Sequence, residues 1–286
     1  MKKRILILAG GVASRMKKEA ENLHIDQQLM EQADTLTKGM ISVGKAGKSL
    51  MDYQLFNSHL AGVEEILLLL HPDDAFTQEY YEEQMRKDAT WGLNIRFSRQ
   101  HISPDRVKPA GTADAVLQAL QQHKSWLSGK LIILNSDNLY SSKALELLWN
   151  APSDNALISY DRNTLEFPEE RIKAFAVIRS DEKGYLQEII EKPDEKIINQ
   201  LMQQSGRIGV SMNAFVIVAE QLIPYLEQTP FHPIRNEKEL PTTISLLVAD
   251  FPDSFLTIPL SENVPDLTSK QDLAVVQEYL QIHYNF

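Results

Sequence analysis

The sequence predicts an α/β fold: a doubly wound, mostly parallel, Rossmann-like sheet with helices on both faces. Four short runs are apolar throughout, at residues 4–9, 65–70, 130–134 and 214–219. Strands of this kind are buried on both sides, as in a parallel sheet covered by helices. Helix-like stretches lie between them, and a β-α-β-α order is typical of a doubly wound sheet.

The stretches between these runs have helical periodicity. Residues 49–62 place Leu50, Tyr53, Phe56 and Leu60 on one stripe and end at a glycine. Two further helices, each opening with a Thr or Ser cap candidate, are predicted at 112–127 and 141–150.

Two segments depart from this pattern. Residues 175–190 read as two strands joined around Asp181–Gly184. Residues 17–37 are polar and helix-permissive, and we expect an exposed inserted segment there. One domain over 1–286 is the simplest organisation.

Bulk properties exclude several classes of protein. The chain has 286 residues, 43% hydrophobic and 24% charged, with a formal net charge of −10. An acidic chain repels a long nucleic acid, so no nucleic-acid partner is expected. The sequence has no cysteine, which excludes disulfides, thiolate metal sites and a cysteine nucleophile. A homo-oligomer is compatible with the sequence.

The N-terminal segment MKKRILILAGGVAS could be a signal peptide or a buried first strand followed by a turn. The apolar run is short and basic residues follow at once, so we favour the strand and expect a cytoplasmic protein. The most hydrophobic run, residues 66–70, is far shorter than the ~20 residues of a membrane helix, and no membrane partner is expected.

The loop after the first strand has features of an anion site. Paired glycines at the carboxyl end of a strand let a ligand approach the backbone, and Arg15 adds a charge that can bond phosphate oxygens. A second phosphate loop at Gly47-Lys48-Ser49 is not expected. A Walker A motif needs a glycine five residues before Gly47, and that position is Ser42.

The segment LAGGVASRM (8–16) is similar to the Leu-Ala-Gly-Gly-x-Gly-x-Arg-Leu signature of the sugar-1-phosphate nucleotidylyltransferases, also called NDP-sugar pyrophosphorylases. The third glycine of that signature is Ala13. The resemblance runs collinearly to about residue 273 and implies the nucleotide-diphospho-sugar transferase type of fold. It implies nucleotide-binding roles for Leu8, Ala9, Gly10, Gly11 and Arg15.

Further segments extend the nucleotide side of the resemblance. It implies that Lys38 is the lysine that contacts phosphate, with Lys45 and Lys48 as alternatives, and that GKSLMDY opens a helix. KPAGTADAVLQA (108–119) resembles the family segment that reads the nucleobase. Nucleotide-binding roles follow for Gly111, Thr112 and, at the end of the strand NIRFSRQ, Gln100.

Two acids are candidate metal ligands. Asp137 follows an apolar strand, and an ionised carboxylate there needs a partner such as Mg²⁺. VPDLTSKQDL (264–273) resembles the family's Asp-x-Gly-Thr-x-x-Asp-Leu and implies that Asp266 is the second ligand, although Thr268 replaces its glycine. The alternative is that Asp266 caps a helix beginning near Ser269. Mn²⁺ is an alternative ion.

The sugar side is implied by three later segments, with KELPTTI (238–244) as a weaker match. Glu191-Lys192-Pro193 resembles the family's Glu-Lys-Pro, where glutamate bonds sugar hydroxyls and lysine pairs with the sugar's phosphate. SMN at 211–213 places Asn213 at the sugar, and Ala176 stands where the family often has glycine. The resemblance divides the chain into a nucleotide-binding part, about 1–140, and a sugar-phosphate-binding part, about 141–286.

The resemblance implies that an NTP and a sugar 1-phosphate react to give an NDP-sugar and pyrophosphate. The attacking phosphate oxygen is already anionic, so alignment and charge neutralisation suffice. Arg15, Lys38, Asp137 and Lys192 are the implied catalytic residues. One alternative is a related transferase, such as a cytidylyltransferase for choline phosphate or polyol phosphate, or a glycosyltransferase. Another is a catalytically silent sugar-nucleotide-binding protein, favoured by the substitutions at Ala13, Ala176 and Thr268.

Overall fold

A computed structural model describes residues 2–11, 16 and 26–285 of the chain. The chain divides into two compact units. The first unit comprises Met1–Pro109, Asn135–Ser142 and Pro265–Phe286, and the second comprises Ala110–Leu134 and Lys143–Val264. The predicted functional division near residue 140 stays a prediction.

Strands and helices alternate along most of the described chain. The strands are β1 Arg4–Ala9, β2 Glu65–Leu70, β3 Asn94–Arg99, β4 Lys130–Asn135, β5 Asn155–Asp161, β6 Val177–Ser180, β7 Leu186–Ile190, β8 Gly209–Val218 and β9 Phe255–Leu260. The helices are α1 Gln27–Thr35, α2 Leu50–Leu60, α3 Ala75–Arg86, α4 Thr112–Gln122, α5 Ser142–Trp149, α6 Glu169–Lys173, α7 Glu195–Ser205, α8 Ala219–Gln228, α9 Leu240–Asp250 and α10 Asp272–His283.

The strands of the first unit are parallel. β1 pairs with β2 in the register Arg4↔Glu65, and β2 pairs with β3 in the register Glu65↔Asn94. All six residues of β2 are buried. The apolar runs at 4–9 and 65–70 therefore form parallel strands with the predicted bounds, whereas β3 is not an apolar run and is only partly buried.

Strand β8 organises the second unit, and its direction corrects one expectation. It is antiparallel to both β4 and β5, although its apolar run resembles a parallel strand. Such a run indicates burial on both faces and carries no information about strand direction. β5 and β9 are parallel, and β6 and β7 form the predicted hairpin.

Helix α2 begins as the sequence predicts and shows why the Gly-Lys-Ser stretch is not a phosphate loop. Ser49 caps the helix in a capping box with Asp52. Leu50 and Tyr53 of the predicted stripe are buried, but Leu60 is 52% exposed, because it lies in the last turn of the helix, beyond the core.

Helix α4 begins one residue differently from the prediction. Gly111, not a Thr or Ser, occupies the N-cap position, and Thr112 is the first helical residue. The helix ends at Gln122 and is followed by a 3₁₀ turn, Lys124–Trp126, which buries Trp126 completely.

The segment predicted to be exposed, 17–37, lies only partly within the described residues. Its described part forms α1, where Leu29 and Ala33 are buried in a core cluster with Ile41 and Leu267. The expectation of an exposed segment is wrong for this face of α1. The segment is polar overall, so its two apolar residues spaced by four, Leu29 and Ala33, were not recognised as a buried face.

None of the helices in the described part of the chain is long and apolar enough to cross a membrane.

Candidate functional site

The two predicted metal ligands lie on short segments of the first unit that pair with each other. Asn138 and Asp266 form an isolated antiparallel bridge. The backbone N–H of Leu267 donates to the carbonyl oxygen of Asp137 at 2.8 Å, and the N–H of Leu139 donates to that of Pro265 at 2.8 Å. The pairing brings together two acids that are 129 positions apart in the sequence.

The carboxylate of Asp266 is buried and held by hydrogen bonds. Asn138 Nδ2 donates to its Oδ2 at 2.9 Å, and the hydroxyl of Thr268 donates to its Oδ1. The capping alternative for Asp266 is wrong, because Asp272 accepts from the backbone N–H groups of Thr268 and Ser269.

Lys38 lies at the other acid. Its Nζ is 2.8 Å from Asp137 Oδ2, and the two side chains are 14% and 25% exposed. Lys38 is followed by Gly39, where a Cβ atom would lie 3.0 Å from the carbonyl oxygen of Ser136. The alternative lysines lie elsewhere: Lys45 is exposed, and Lys48 Nζ lies 5.7 Å from the ring centroid of Trp91.

The predicted nucleotide loop lies partly outside the described residues. Leu8 and Ala9 end β1, and Gly10 and Gly11 follow. Arg15 and Ala13 lie outside the described residues, so the structure says nothing about the predicted role of Arg15.

Gln100 lies directly against this loop. A Cβ atom on Gly10 would overlap Gln100 Oε1, so the glycine permits this approach. The side chain of Gln100 is 97% buried, since its exposed fraction is 3%. Its Nε2 has no hydrogen-bond partner among the described residues. A buried amide with unused donors is expected to have a partner, such as a ligand group.

In the second unit, Gly111 and Thr112 are fixed by the segment before α9. Gly111 has φ +114°, and a Cβ atom there would overlap the carbonyl oxygen of Lys238. The hydroxyl oxygen of Thr112 accepts from the N–H of Leu240 at 2.9 Å. These contacts hold the predicted base-reading segment in one conformation.

The predicted sugar residues also lie in the second unit. Asn213 and Lys192 have positive φ values, +56° and +46°, which are uncommon for residues other than glycine. Such backbone strain clusters at ligand sites. The carbonyl oxygen of Ala176 accepts from the N–H of Ser211 at 2.9 Å. Glu191 Oε2 lies 3.7 Å from Arg235 Nη1.

Sequence reasoning missed Arg235 and its pairing with Glu239, a residue of the weaker match KELPTTI. Arg235 Nη2 donates to Glu239 Oε2 at 2.6 Å, and Arg235 Nε lies 2.6 Å from Glu239 Oε1, so the two side chains form a close ion pair. Burial raises the pKa of the Glu239 carboxyl, and the Arg235 guanidinium opposes that rise. A spacing of four residues is usually a helical signal, but this pair precedes α9, so no periodicity pointed to it.

The donor set of the first unit fits a hard divalent cation. Mg²⁺ in proteins is commonly bound by one or two carboxylates together with substrate phosphates. Asp137 and Asp266 supply two carboxylates on paired segments, and a cation, Lys38 Nζ, already lies against Asp137. Among the residues described, no group of three or more acidic or histidine side chains is arranged to hold a metal ion.

Comparison with known proteins decides the family. The model of the nucleotidyl transferase family matches residues 27–219. The chain belongs to this family. The family resemblance predicted from the signature loop and the later motifs is confirmed.

Curated relatives match over part of their length. A glucose-1-phosphate adenylyltransferase of Bradyrhizobium diazoefficiens is 26% identical over 245 residues, 80% of this chain and 51% of that protein. A glucose-1-phosphate adenylyltransferase of Granulibacter bethesdensis is 26% identical over 193 residues, 66% of this chain and 42% of that protein. The chain thus spans about half the length of the curated relatives that it matches.

A solved structure confirms the fold. The structure of a UDP-glucose pyrophosphorylase complexed with UDP-glucose aligns over 99% of this chain and 100% of its own, with a TM-score of 0.68 and 16% identity. The predicted α/β class with a mostly parallel sheet is therefore correct. The roles of the individual site residues stay predictions.

Proposed function

We propose that this chain transfers a nucleotidyl group from an NTP to a sugar 1-phosphate, giving an NDP-sugar and pyrophosphate. The observation that carries the proposal is the cluster of Lys38, Asp137 and Asp266, found in a chain of the nucleotidyl transferase family. A lysine paired with one of two acids, where the acids lie on backbone segments held by mutual hydrogen bonds, suits the handling of a triphosphate.

On the nucleotide side, Asp137 and Asp266 would hold Mg²⁺, with Mn²⁺ as an alternative. The ion would supply charge neutralisation for the triphosphate when it is bound. Lys38, already within hydrogen-bond distance of a carboxylate oxygen, would contact phosphate oxygens. Arg15 would add a second positive charge. Gln100, whose buried Nε2 has no partner among the described residues, would read the base, and the family resemblance gives the Gly111-Thr112 segment a base-reading role as well.

On the sugar side, Lys192 would pair with the phosphate of the incoming sugar. Its side chain is exposed and forms no ion pair with other residues that the structure describes. Glu191, whose side chain is 43% exposed, would accept hydrogen bonds from sugar hydroxyls, and Asn213 would bond the same sugar.

The chemistry proposed is a single in-line displacement. An anionic oxygen of the sugar phosphate forms a bond to the α-phosphorus, the bond between that phosphorus and the bridging oxygen breaks, and pyrophosphate leaves. No proton has to be removed from the nucleophile. The chain therefore has to align two anions and offset their repulsion, which lysine and arginine side chains do.

A screen tests the proposal. Four NTPs are each combined with a panel of sugar 1-phosphates that begins with glucose 1-phosphate, the acceptor in the names of the curated relatives. Pyrophosphate release is then measured in the presence of Mg²⁺. We expect one pair to dominate and Asp137→Asn to abolish its turnover. Asp253→Asn, which changes an exposed acid of the second unit, is the matched control and should retain activity.

Two results would decide against transfer. Release of pyrophosphate by Asp137→Asn at the wild-type rate would remove this acid from the mechanism. Binding of an NDP-sugar without pyrophosphate release from any pair would favour the silent sugar-nucleotide-binding protein.

A further inference from the structure

A buried lysine lies four residues after Asp266. The side chain of Lys270 is only 5% exposed, and its Nζ lies 2.6 Å from Oδ1 of Asp34. A buried ammonium group is stable only when it is paired. Asp34 lies in α1, a helix that no motif in the sequence connects with the acid pair, and its side chain is 49% exposed.

Helix α1 contacts the segments that carry both predicted functional groups of the first unit. Oε1 of Gln32 accepts from the backbone N–H of Ser42 at 2.7 Å, four residues after Lys38. The buried residues Leu29 and Ala33 share a core cluster with Leu267, the residue after Asp266. Lys270 adds an ionic contact to this apolar one.

These contacts close a ring. Helix α1 contacts the segment that carries Lys38, through the hydrogen bond between Gln32 and Ser42. Lys38 in turn contacts Asp137 through the 2.8 Å ion pair. The ring then passes from Asp137 to the segment of Asp266 by the paired backbone hydrogen bonds, and from Lys270 back to α1. Each of the four segments is restrained by contacts with two others, so the loss of one contact should weaken the remaining ones.

We propose that Lys270 and Asp34 form a positioning pair that holds Asp266, and with it the paired segment of Asp137, in the geometry that a divalent cation requires. This inference rests on the proposed function. The pair acts through Asp266 and is not itself a ligand. Partners outside the first coordination shell that orient ligands typically alter metal affinity about 10- to 100-fold when they are lost.

The burial difference within the pair predicts an ordering of variants. Lys270→Met keeps the apolar stem and leaves the half-exposed Asp34 in water. Asp34→Asn leaves a buried ammonium group without its counter-charge. Asp34→Asn should therefore lower the melting temperature more than Lys270→Met does. Adding Lys270→Met to Asp34→Asn should restore part of the lost melting temperature. If Asp34→Asn alone folds poorly, the double variant can be measured in its place.

Hydrogen-exchange mass spectrometry of the full chain without metal or nucleotide tests the ring. Peptides covering 135–141 and 264–270 report the amides of Leu139 and Leu267, which bond across the two segments. In Lys270→Met we expect these amides to exchange about tenfold faster, while β2 keeps its protection. Leu226→Ala is the control: Leu226 is fully buried in α8 of the second unit, and its loss should lower stability without this local pattern.

Metal binding is the second readout. Free Mn²⁺, counted by electron paramagnetic resonance, should show a Kd about tenfold higher for Lys270→Met than for wild type. Leu226→Ala should bind as wild type does. The KM for sugar phosphate should stay within about twofold in Lys270→Met, whereas kcat should fall.

Unchanged exchange at Leu139 and Leu267, or an unchanged Mn²⁺ affinity in Lys270→Met, would overturn the positioning pair. The proposed function fails separately. If wild-type chain and Asp137→Asn bind Mn²⁺ equally, the two acids are not metal ligands, and the exchange experiment alone then decides whether Lys270 holds their segments.

Discussion

Substitution of Gly111 by alanine should be among the most damaging changes in the second unit. Gly111 has φ +114° and ψ 178°, a backbone region that is essentially restricted to glycine. A Cβ atom there would also overlap the carbonyl oxygen of Lys238 and lie 2.7 Å from its backbone nitrogen. Both obstacles are backbone atoms, so a side-chain rotation cannot relieve the overlap.

The magnitude follows from two contributions. The backbone conformation costs about 1–3 kcal/mol for a residue other than glycine. Moving Lys238 away weakens two hydrogen bonds, Ala113 N–H to Lys238 O at 3.0 Å and Lys238 N–H to Ala110 O at 2.6 Å. Each is worth about 1 kcal/mol, which gives a total loss of about 3–5 kcal/mol.

Gly206 is the matched control. It has φ +68° and ψ 1°, and a Cβ atom there would meet no atom within 4 Å. Its substitution by alanine should cost only about 1–2 kcal/mol. Urea unfolding followed by tryptophan fluorescence gives both values. Equal losses for the two variants would show that the contact between Gly111 and Lys238 does not fix the predicted base-reading segment.

Three further predictions concern single side chains. Lys38→Ala should lower kcat/KM for NTP about 10³-fold, and Lys48→Ala less than tenfold, because only Lys38 lies at the acid pair; the reverse ranking in steady-state kinetics would refute the assignment. Lys192→Ala should raise KM for sugar phosphate and lower kcat while NTP binding, measured by calorimetry, stays within a few-fold; equal losses for both substrates would contradict its place at the sugar phosphate. Burial raises the pKa of the Tyr81 hydroxyl well above its usual value. The neutral form is favoured in the folded state, so stability should fall as the pH rises above about 10, the pKa of tyrosine in an unfolded chain. Tyr81→Phe should flatten that fall in urea unfolding at pH 9 to 11, and an unchanged slope would contradict it.

Local pattern sufficed for much of the fold. The bounds of β1 and β2 and the start of α2 near residue 49 follow from continuous apolar runs and from one helical stripe of apolar residues. The direction of β8 did not follow, because strand direction depends on the connections that the chain makes elsewhere. The buried face of α1 was missed because two apolar residues in a polar segment make a weak signal.

The candidate site was predictable only through the family motifs. Nothing local connects Lys38 with Asp137, which are 99 positions apart, yet the resemblance named both residues and the structure brings them together. Lys270 and Glu239 each lie in a segment that resembles a family motif, but their partners Asp34 and Arg235 lie in none, so no motif joins either pair. Charged partners that meet only through tertiary packing leave no periodicity in the sequence, so they could be found only from coordinates.

Product stoichiometry tests nucleotidyl transfer most directly. The NTP and sugar phosphate pair found by the screen is incubated with the chain and Mg²⁺, and ³¹P nuclear magnetic resonance follows every phosphorus. Transfer predicts that each NTP consumed gives one pyrophosphate and one NDP-sugar, and that added pyrophosphate drives the reaction backwards. Pyrophosphate accompanied by free NMP, or NDP accompanied by inorganic phosphate, would show hydrolysis instead and would contradict the account.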